Sequence, residues 1–132
     1  MAKKNGVSEA YLDQIFSTYI RLRDADEDGY VLCCYCRGRL HWRESQNCHY
    51  VGRRHRTLRW NELNCHAGHA SCNGADVILG YTEYMVARYG PDVFSLLNTH
   101  KNSREKITPH ERKIMAENYK NKIEKLRKEK GL

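Results

Sequence analysis

The sequence feature that most constrains this chain is a pair of ligand pairs, Cys33-x-x-Cys36 and His69-x-x-Cys72. Two donor pairs at two-residue spacing are the makings of a closed tetrahedral zinc site, and Zn²⁺ accepts three sulfurs and one imidazole. If both pairs grip one ion, the chain between them must leave and return, which an inserted hairpin does. Cys34, Cys65 and His66 stand close enough in sequence to compete for the same ion. The N-terminus has basic residues but no apolar stretch of a secretory signal, so a cytosolic setting is expected. In a reducing compartment the six cysteines read as metal ligands and buried thiols rather than disulfides.

A metal tie would be useful here. Hydrophobic residues make up 40% of a 132-residue chain, which predicts one domain with a thin core. No apolar run approaches the roughly 18 residues of a membrane span. The net charge of +7 favours a polyanionic partner. Its distribution says more than its size. No lysine occurs between Lys4 and Lys101, while seven arginines fall between Arg37 and Arg59. Arginine forks phosphate bidentately and lysine acts as a point charge. The centre thus suits phosphate geometry, and the lysine-rich tail plain attraction.

Ser8 is a fitting N-cap for a helix over 8–23, whose Leu12, Ile15, Phe16, Tyr19 and Leu22 follow helical spacing. Asp24-Ala-Asp26-Glu-Asp28-Gly29 imitates the start of a calcium loop, but Tyr35 holds the twelfth position, so it reads as an acidic turn. Strands are expected over 30–33 and 39–42 around the first ligand pair. A second hairpin is expected with strands near 46–51 and 57–60 and a loop at 52–56. A helix should run from Ser71 toward Tyr89, with Gly74 and Gly80 each weakening it by about 1 kcal/mol relative to Ala. A short helix from Pro91 to Asn98 and a polar linker over 99–107 follow. Thr108-Pro-His-Glu111 then forms a capping box that opens a final helix of about twenty residues. Its stripe is Met115, Tyr119, Ile123 and Leu126, and Lys113, Lys120, Lys122, Lys125, Lys128 and Lys130 make it basic. Such a helix must pack on the domain, on a second subunit or along DNA.

Between the ligand pairs lie His49 at a strand end, Asn64 before the second pair, and Asn73 directly after Cys72. Here the sequence resembles the HNH, or His-Me finger, nucleases, and the order knuckle, hairpin, knuckle, helix is similar to the zinc-bearing branch that includes endonuclease VII. His49-Tyr50, Arg53-Arg54-His55, the run Leu58-Arg-Trp-Asn-Glu-Leu-Asn-Cys-His-Ala67, and Cys72-Asn73 resemble the phage NinG, or Rap, recombination family over about residues 30–97. The resemblance implies that His49 is the general base, that Asn64 pins the loop holding it, and that Asn73 ligates a catalytic Mg²⁺ or Mn²⁺. It also implies cleavage of Holliday junctions or D-loops in a phage-infected bacterium. Many HNH enzymes have Asp before the base, where this chain has Cys48. Asp76, one helical turn after Asn73, is the candidate to supply that carboxylate. His69 likewise stands where a knuckle Cys is usual.

The expectation is therefore an α+β fold, a small zinc-stabilised His-Me finger of two short β-hairpins plus a helix, flanked by N- and C-terminal helices. Residues 1–29 form the N-terminal helix, 30–98 the nuclease core, and 99–132 the linker and basic helix. Cys33, Cys36, His69 and Cys72 hold zinc; His49, Asn64, Asn73 and Asp76 serve catalysis; Arg53, Arg54, His55, Arg56 and Arg59 meet DNA. Cutting a junction symmetrically takes two active sites, so a homodimer is expected. The rival readings are a zinc-dependent DNA-binding protein without catalysis, and an HNH nicking or restriction-type nuclease acting on duplex DNA.

Overall fold

Ser8 opens the first helix by accepting from the Tyr11 N–H at 3.1 Å, and α1 runs from Glu9 to Asp24. The acidic segment behind it is a turn. Asp26 Oδ1 accepts the N–H groups of Asp28 and Tyr30, both at 2.9 Å, and Gly29 takes φ +89°. This is a computed structural model that describes residues 6–72, 78–103 and 105–132.

The turn delivers the chain into β1 (Tyr30–Leu32), which pairs antiparallel with β2 (Arg39–His41), Val31 facing Leu40. A 3₁₀ turn at Trp42–Glu44 leads into β3 (Gln46–His49). Its partner is not the 57–60 segment. Residues Arg56–Arg59 form a single helical turn, α2, and β3 pairs instead with β4 (Cys65–Gly68), Cys48 opposite His66 and His49 opposite Cys65. The reason is local. The N–H groups of Leu58 and Arg59 both turn back to the His55 carbonyl, which seats Leu58 and Trp60 in the core. The true strand, Cys-His-Ala-Gly, is buried at all four positions and contains no β-branched residue.

After a second 3₁₀ turn at Ala70–Cys72 come α3 (Ile78–Tyr89), α4 (Val93–Lys101) and α5 (Pro109–Lys130). The helix expected from Ser71 is thus described only from Ile78, and its expected first turns fall partly outside the described residues. The short helix reaches Lys101 rather than Asn98, which shortens the linker. The capping box at Thr108 and Glu111 forms as the sequence requires. Among the described residues no helix is long and apolar enough to cross a membrane.

Two apolar clusters hold these elements. One gathers both hairpins, α3 and α4 around Val31, Trp42, Leu58, Tyr81, Met85 and Leu97. The other joins α1 to α5 through Leu12, Phe16, Ile20 and Ala116, with Trp60 and Cys65 of the central region packed into it. Ile123 and Leu126 touch both clusters, so the stripe of α5 is covered by its own chain. Part of its charge is used internally too. Lys130 Nζ donates to the carbonyls of Leu22, Arg23 and Ala25 at 2.8, 3.1 and 2.6 Å, satisfying the open end of α1.

A buried ion network ties α1 to the sheet. Asp24, its side chain 4% exposed, accepts from Arg23 Nε at 2.8 Å, from Arg88 of α3 at 3.1 Å and from the Ala67 N–H of β4 at 3.0 Å. Arg23 also donates to the carbonyls of Glu62 and Cys65, at 2.9 and 2.8 Å. Burial alone would raise the Asp24 carboxyl, but the two guanidinium groups and the backbone donor outweigh it and hold it below the ordinary value.

Candidate functional site

The turn between β1 and β2 and the turn after β4 meet at one end of the molecule. There the donor atoms of Cys33, Cys36, His69 and Cys72 lie within 4.8 Å of one another. His69 presents Nδ1, at 3.4 Å from Cys36 Sγ and 3.9 Å from Cys72 Sγ. Zinc–ligand bonds of about 2.0–2.3 Å imply donor separations of about 3.5–3.8 Å in a tetrahedron, so the cluster matches the ion in reach as well as chemistry. Backbone N–H groups already aim at the sulfurs. His69 and Tyr35 donate to Cys33 at 3.3 and 3.4 Å, and Gly38 donates to Cys36 at 3.3 Å. Burial works to raise the Cys33 thiol, but the N–H groups of His69, Cys36 and Tyr35 and the His69 side chain bring it to about 7, toward the thiolate a metal needs. Cys72 is pushed up to about 11 by burial and by the crowding sulfurs of Cys36 and Cys33. A dication relieves that crowding.

The three competitors for the ion point elsewhere. Cys34 and Cys65 are fully buried free thiols. Cys34 packs with Cys48 against Gly68, where a side chain would meet the two sulfurs at 3.0 and 3.1 Å. His66 is also fully buried, Nδ1 at 2.9 Å from the Tyr81 hydroxyl and Nε2 at 2.6 Å from that of Tyr89. Burial drives its pKa down to about 3, so it stays neutral.

The hairpin β3–β4 carries the second group. The Tyr81 hydroxyl of α3 donates to the Cys48 carbonyl at 2.7 Å, so a helix covers the hairpin in the order strand, strand, helix. His49 stands at the end of β3 with Nε2 at 2.9 Å from the Arg59 carbonyl. A carbonyl only accepts, so Nε2 carries the hydrogen and Nδ1 keeps its lone pair. Burial lowers the His49 pKa below its ordinary value, the largest influence on it, and the ring is neutral at pH 7. The loop between His49 and β4 is fastened by Asn64, itself fully buried. Its Oδ1 accepts the Val51 N–H at 2.8 Å, and its Nδ2 donates to the carbonyls of Val51 and Leu58 at 2.9 and 3.1 Å. Asn64 thus pins both limbs of the loop whose far limb supplies the Arg59 carbonyl. Asn73 and Asp76 lie outside the described residues.

The arginines divide. Arg59 is bound by Asp13 of α1, Nε to Oδ1 at 3.0 Å and a terminal nitrogen to Oδ2 at 2.6 Å, and its side chain is only 17% exposed. It is occupied rather than presented. Arg56 pairs with Glu9 but is 59% exposed; Arg53 reaches Asp13 at 3.5 Å and is 63% exposed. Arg54 is exposed and His55 half-buried. Between α1 and β3 runs a cleft of about 600 Å³, lined by His49 and Arg53 on one side and by Gln14, Ser17 and Thr18 of α1 on the other. Asp13 belongs to this site, yet nothing in the sequence marks it, because a carboxylate on an amphipathic helix looks like any solvated position. Trp60, also at this junction, donates Nε1 to Asp13 at 2.9 Å and is buried.

Comparison with known proteins adds one finding. The family model described as Bacteriophage Lambda NinG protein matches residues 1–129 of the chain. No curated protein and no solved structure matches.

Proposed function

The chain belongs to the bacteriophage lambda NinG family, which makes it a phage recombination-related protein, and on that premise we propose that it is a metal-dependent DNA endonuclease acting on branched recombination intermediates. The substrate would be a Holliday junction or D-loop in the cytoplasm of the infected host, cut by two copies of the chain acting together.

The observation that carries this reading is the His49–Arg59 hydrogen bond. It leaves a neutral imidazole whose Nδ1 lone pair is not taken by that carbonyl, on a residue that lines a cleft, which is what a general base for water requires. His49 Nδ1 takes the proton of a water whose oxygen attacks phosphorus, and the phosphorus–oxygen bond to the leaving strand breaks. Arg53 and Arg54, on the exposed turn before α2, and the exposed Arg56 that opens α2 would face the flanking phosphates. A Mg²⁺ or Mn²⁺ ion, for which Asn73 and Asp76 are the candidate ligands, would neutralise charge on the scissile phosphate and leaving oxygen. Zn²⁺ at Cys33, Cys36, His69 and Cys72 would be structural, since four protein donors leave no open position.

One observation favours the non-catalytic alternative. Cys48, where many HNH enzymes place a metal-binding Asp, is fully buried with its sulfur against Gly68 and so turned away from solvent. The deciding assay uses purified protein with labelled four-way junction, matched duplex, and Mg²⁺ or Mn²⁺, beside His49→Ala. The proposal expects junction cleavage that falls about 10²- to 10⁴-fold in the variant. Binding without cleavage would establish the DNA-binding alternative. Equal cutting of matched duplex would make the protein a nicking or restriction-type HNH nuclease.

A further inference from the structure

We infer that Asp13, on a helix outside the hairpin, is a positioning residue for His49, acting through the peptide that joins Arg59 to Trp60. The inference rests on the catalytic reading of His49, but its geometry stands apart from it. The carbonyl that receives His49 Nε2 belongs to that peptide. The side chains on both sides of the peptide are gripped by one carboxylate. Asp13 Oδ1 accepts from Arg59 Nε at 3.0 Å and Trp60 Nε1 at 2.9 Å, and Oδ2 accepts from Arg59 at 2.6 Å.

The peptide needs such a grip. It sits at the exit of α2, a helix of one turn, which has too few internal hydrogen bonds to hold its own end. Trp60, with φ −122° and ψ 40°, lies outside both the helical and the extended basins, so no regular ladder fixes the carbonyl direction. Among the described residues, the other side-chain hydrogen bond to that oxygen is from the Cys65 thiol, at a long 3.8 Å. Asp13, closer to Arg59 than Glu9 at 3.5 Å, therefore helps fix where the acceptor of the His49 hydrogen points, on a loop that Asn64 already pins. Its Oδ2 also reaches Arg53 at 3.5 Å, so the base and the nearest phosphate-facing cation are keyed to the same group. The side chains of Asp13 and Arg59 are 23% and 17% exposed, which shields the pair more than an open surface bridge.

A misplacement of about an ångström in a catalytic group can cost on the order of 10²-fold in rate. The test compares the zinc-loaded full chain with Asp13→Ala, Asp13→Asn and Asp13→Glu. Two readouts are taken: junction cleavage split into kcat and KM, and the His49 ring N–H signal in ¹⁵N-edited NMR, which is visible only while a hydrogen bond protects it from exchange. Asp13→Ala should lower kcat about 10- to 100-fold with KM changed less than about threefold, and should erase the ring signal. Asp13→Asn, which keeps Oδ1, should fall between Asp13→Ala and wild type and serves if the alanine variant does not fold. Asp13→Glu should recover most of kcat. A folded variant with the ring signal intact and kcat unchanged overturns the inference. If His49→Ala cuts as well as wild type, the catalytic reading fails on its own, and the NMR signal still tests the positioning claim.

Discussion

Replacing Gly80 by alanine sets two effects against each other, and they differ in sign. In the interior of an isolated helix, Ala is better than Gly by about 1 kcal/mol. In α3, however, the added Cβ would stand about an ångström inside ordinary contact with the Tyr35 carbonyl oxygen and 3.2 Å from its carbon. Tyr35 cannot retreat, because it lies between Cys34 and Cys36 and its ring packs edge-on against Tyr81 at 5.1 Å. The helix must back away instead. Doing so strains the Arg37 guanidinium, which donates to the Gly80 carbonyl at 2.7 Å and to the Tyr35 carbonyl at 3.0 Å. Overpacking costs about 1–3 kcal/mol and a lost charged hydrogen bond about 1.5–3. Less the propensity gain, Gly80→Ala should destabilise by about 1.5–5 kcal/mol. Urea unfolding of the zinc-loaded protein, followed by circular dichroism, measures this directly. The zinc of the variant should also pass to a chromogenic chelator faster, since the shift is transmitted to the turn bearing Cys33 and Cys36. A midpoint equal to or above that of wild type would refute the close approach of α3 to the knuckle.

Metal content and pH give two further tests. Exhaustively dialysed protein should retain about one Zn²⁺ per chain, and a strong chelator should remove it with cooperative loss of structure; a chain that stays folded without zinc would sink the assignment. His66, held neutral by burial with a pKa of about 3, gives stability a definite slope. The unfolded chain binds a proton near pH 6.5 that the folded chain refuses. Stability should therefore fall as pH drops from about 6.5 toward 3, by up to about 1.4 kcal/mol per pH unit from this group. Between pH 6.5 and 4, His66→Gln should flatten the dependence of the urea midpoint on pH, leaving the smaller contribution of His49. Equal slopes in the two proteins would count against a buried neutral His66.

What the sequence disclosed follows a physical divide. The Cys33, Cys36, His69 and Cys72 cluster was legible because two short spacings fix two turns, and the capping box of α5 because its partners are three residues apart. Asn64 was legible only through family resemblance, since its hydrogen bonds reach back to Val51. The pairing of β3 with Cys65–Gly68 was hidden because burial on both faces erases the alternation that marks a strand. Arg59 read as a phosphate contact because its partner, Asp13, is 46 positions away. Gly80 read as a flaw in a helix; the structure shows that any larger residue would collide with the knuckle.

Lys130 and α1 bear on the order in which this chain can assemble. The apolar face of α1 is among the first parts of the sequence to be made, and α5, which covers it, emerges only some hundred residues later. Closing a loop of that size costs about 4 kcal/mol in chain entropy before any contact repays it. The β3–β4 hairpin closes a loop of only about fifteen residues, at about 2.4 kcal/mol. On the ribosome, Leu12, Phe16 and Ile20 would therefore wait uncovered while the centre forms. The two terminal helices would lock last, and Lys130, seating itself on the open carbonyls of α1, would mark the completion of that closure.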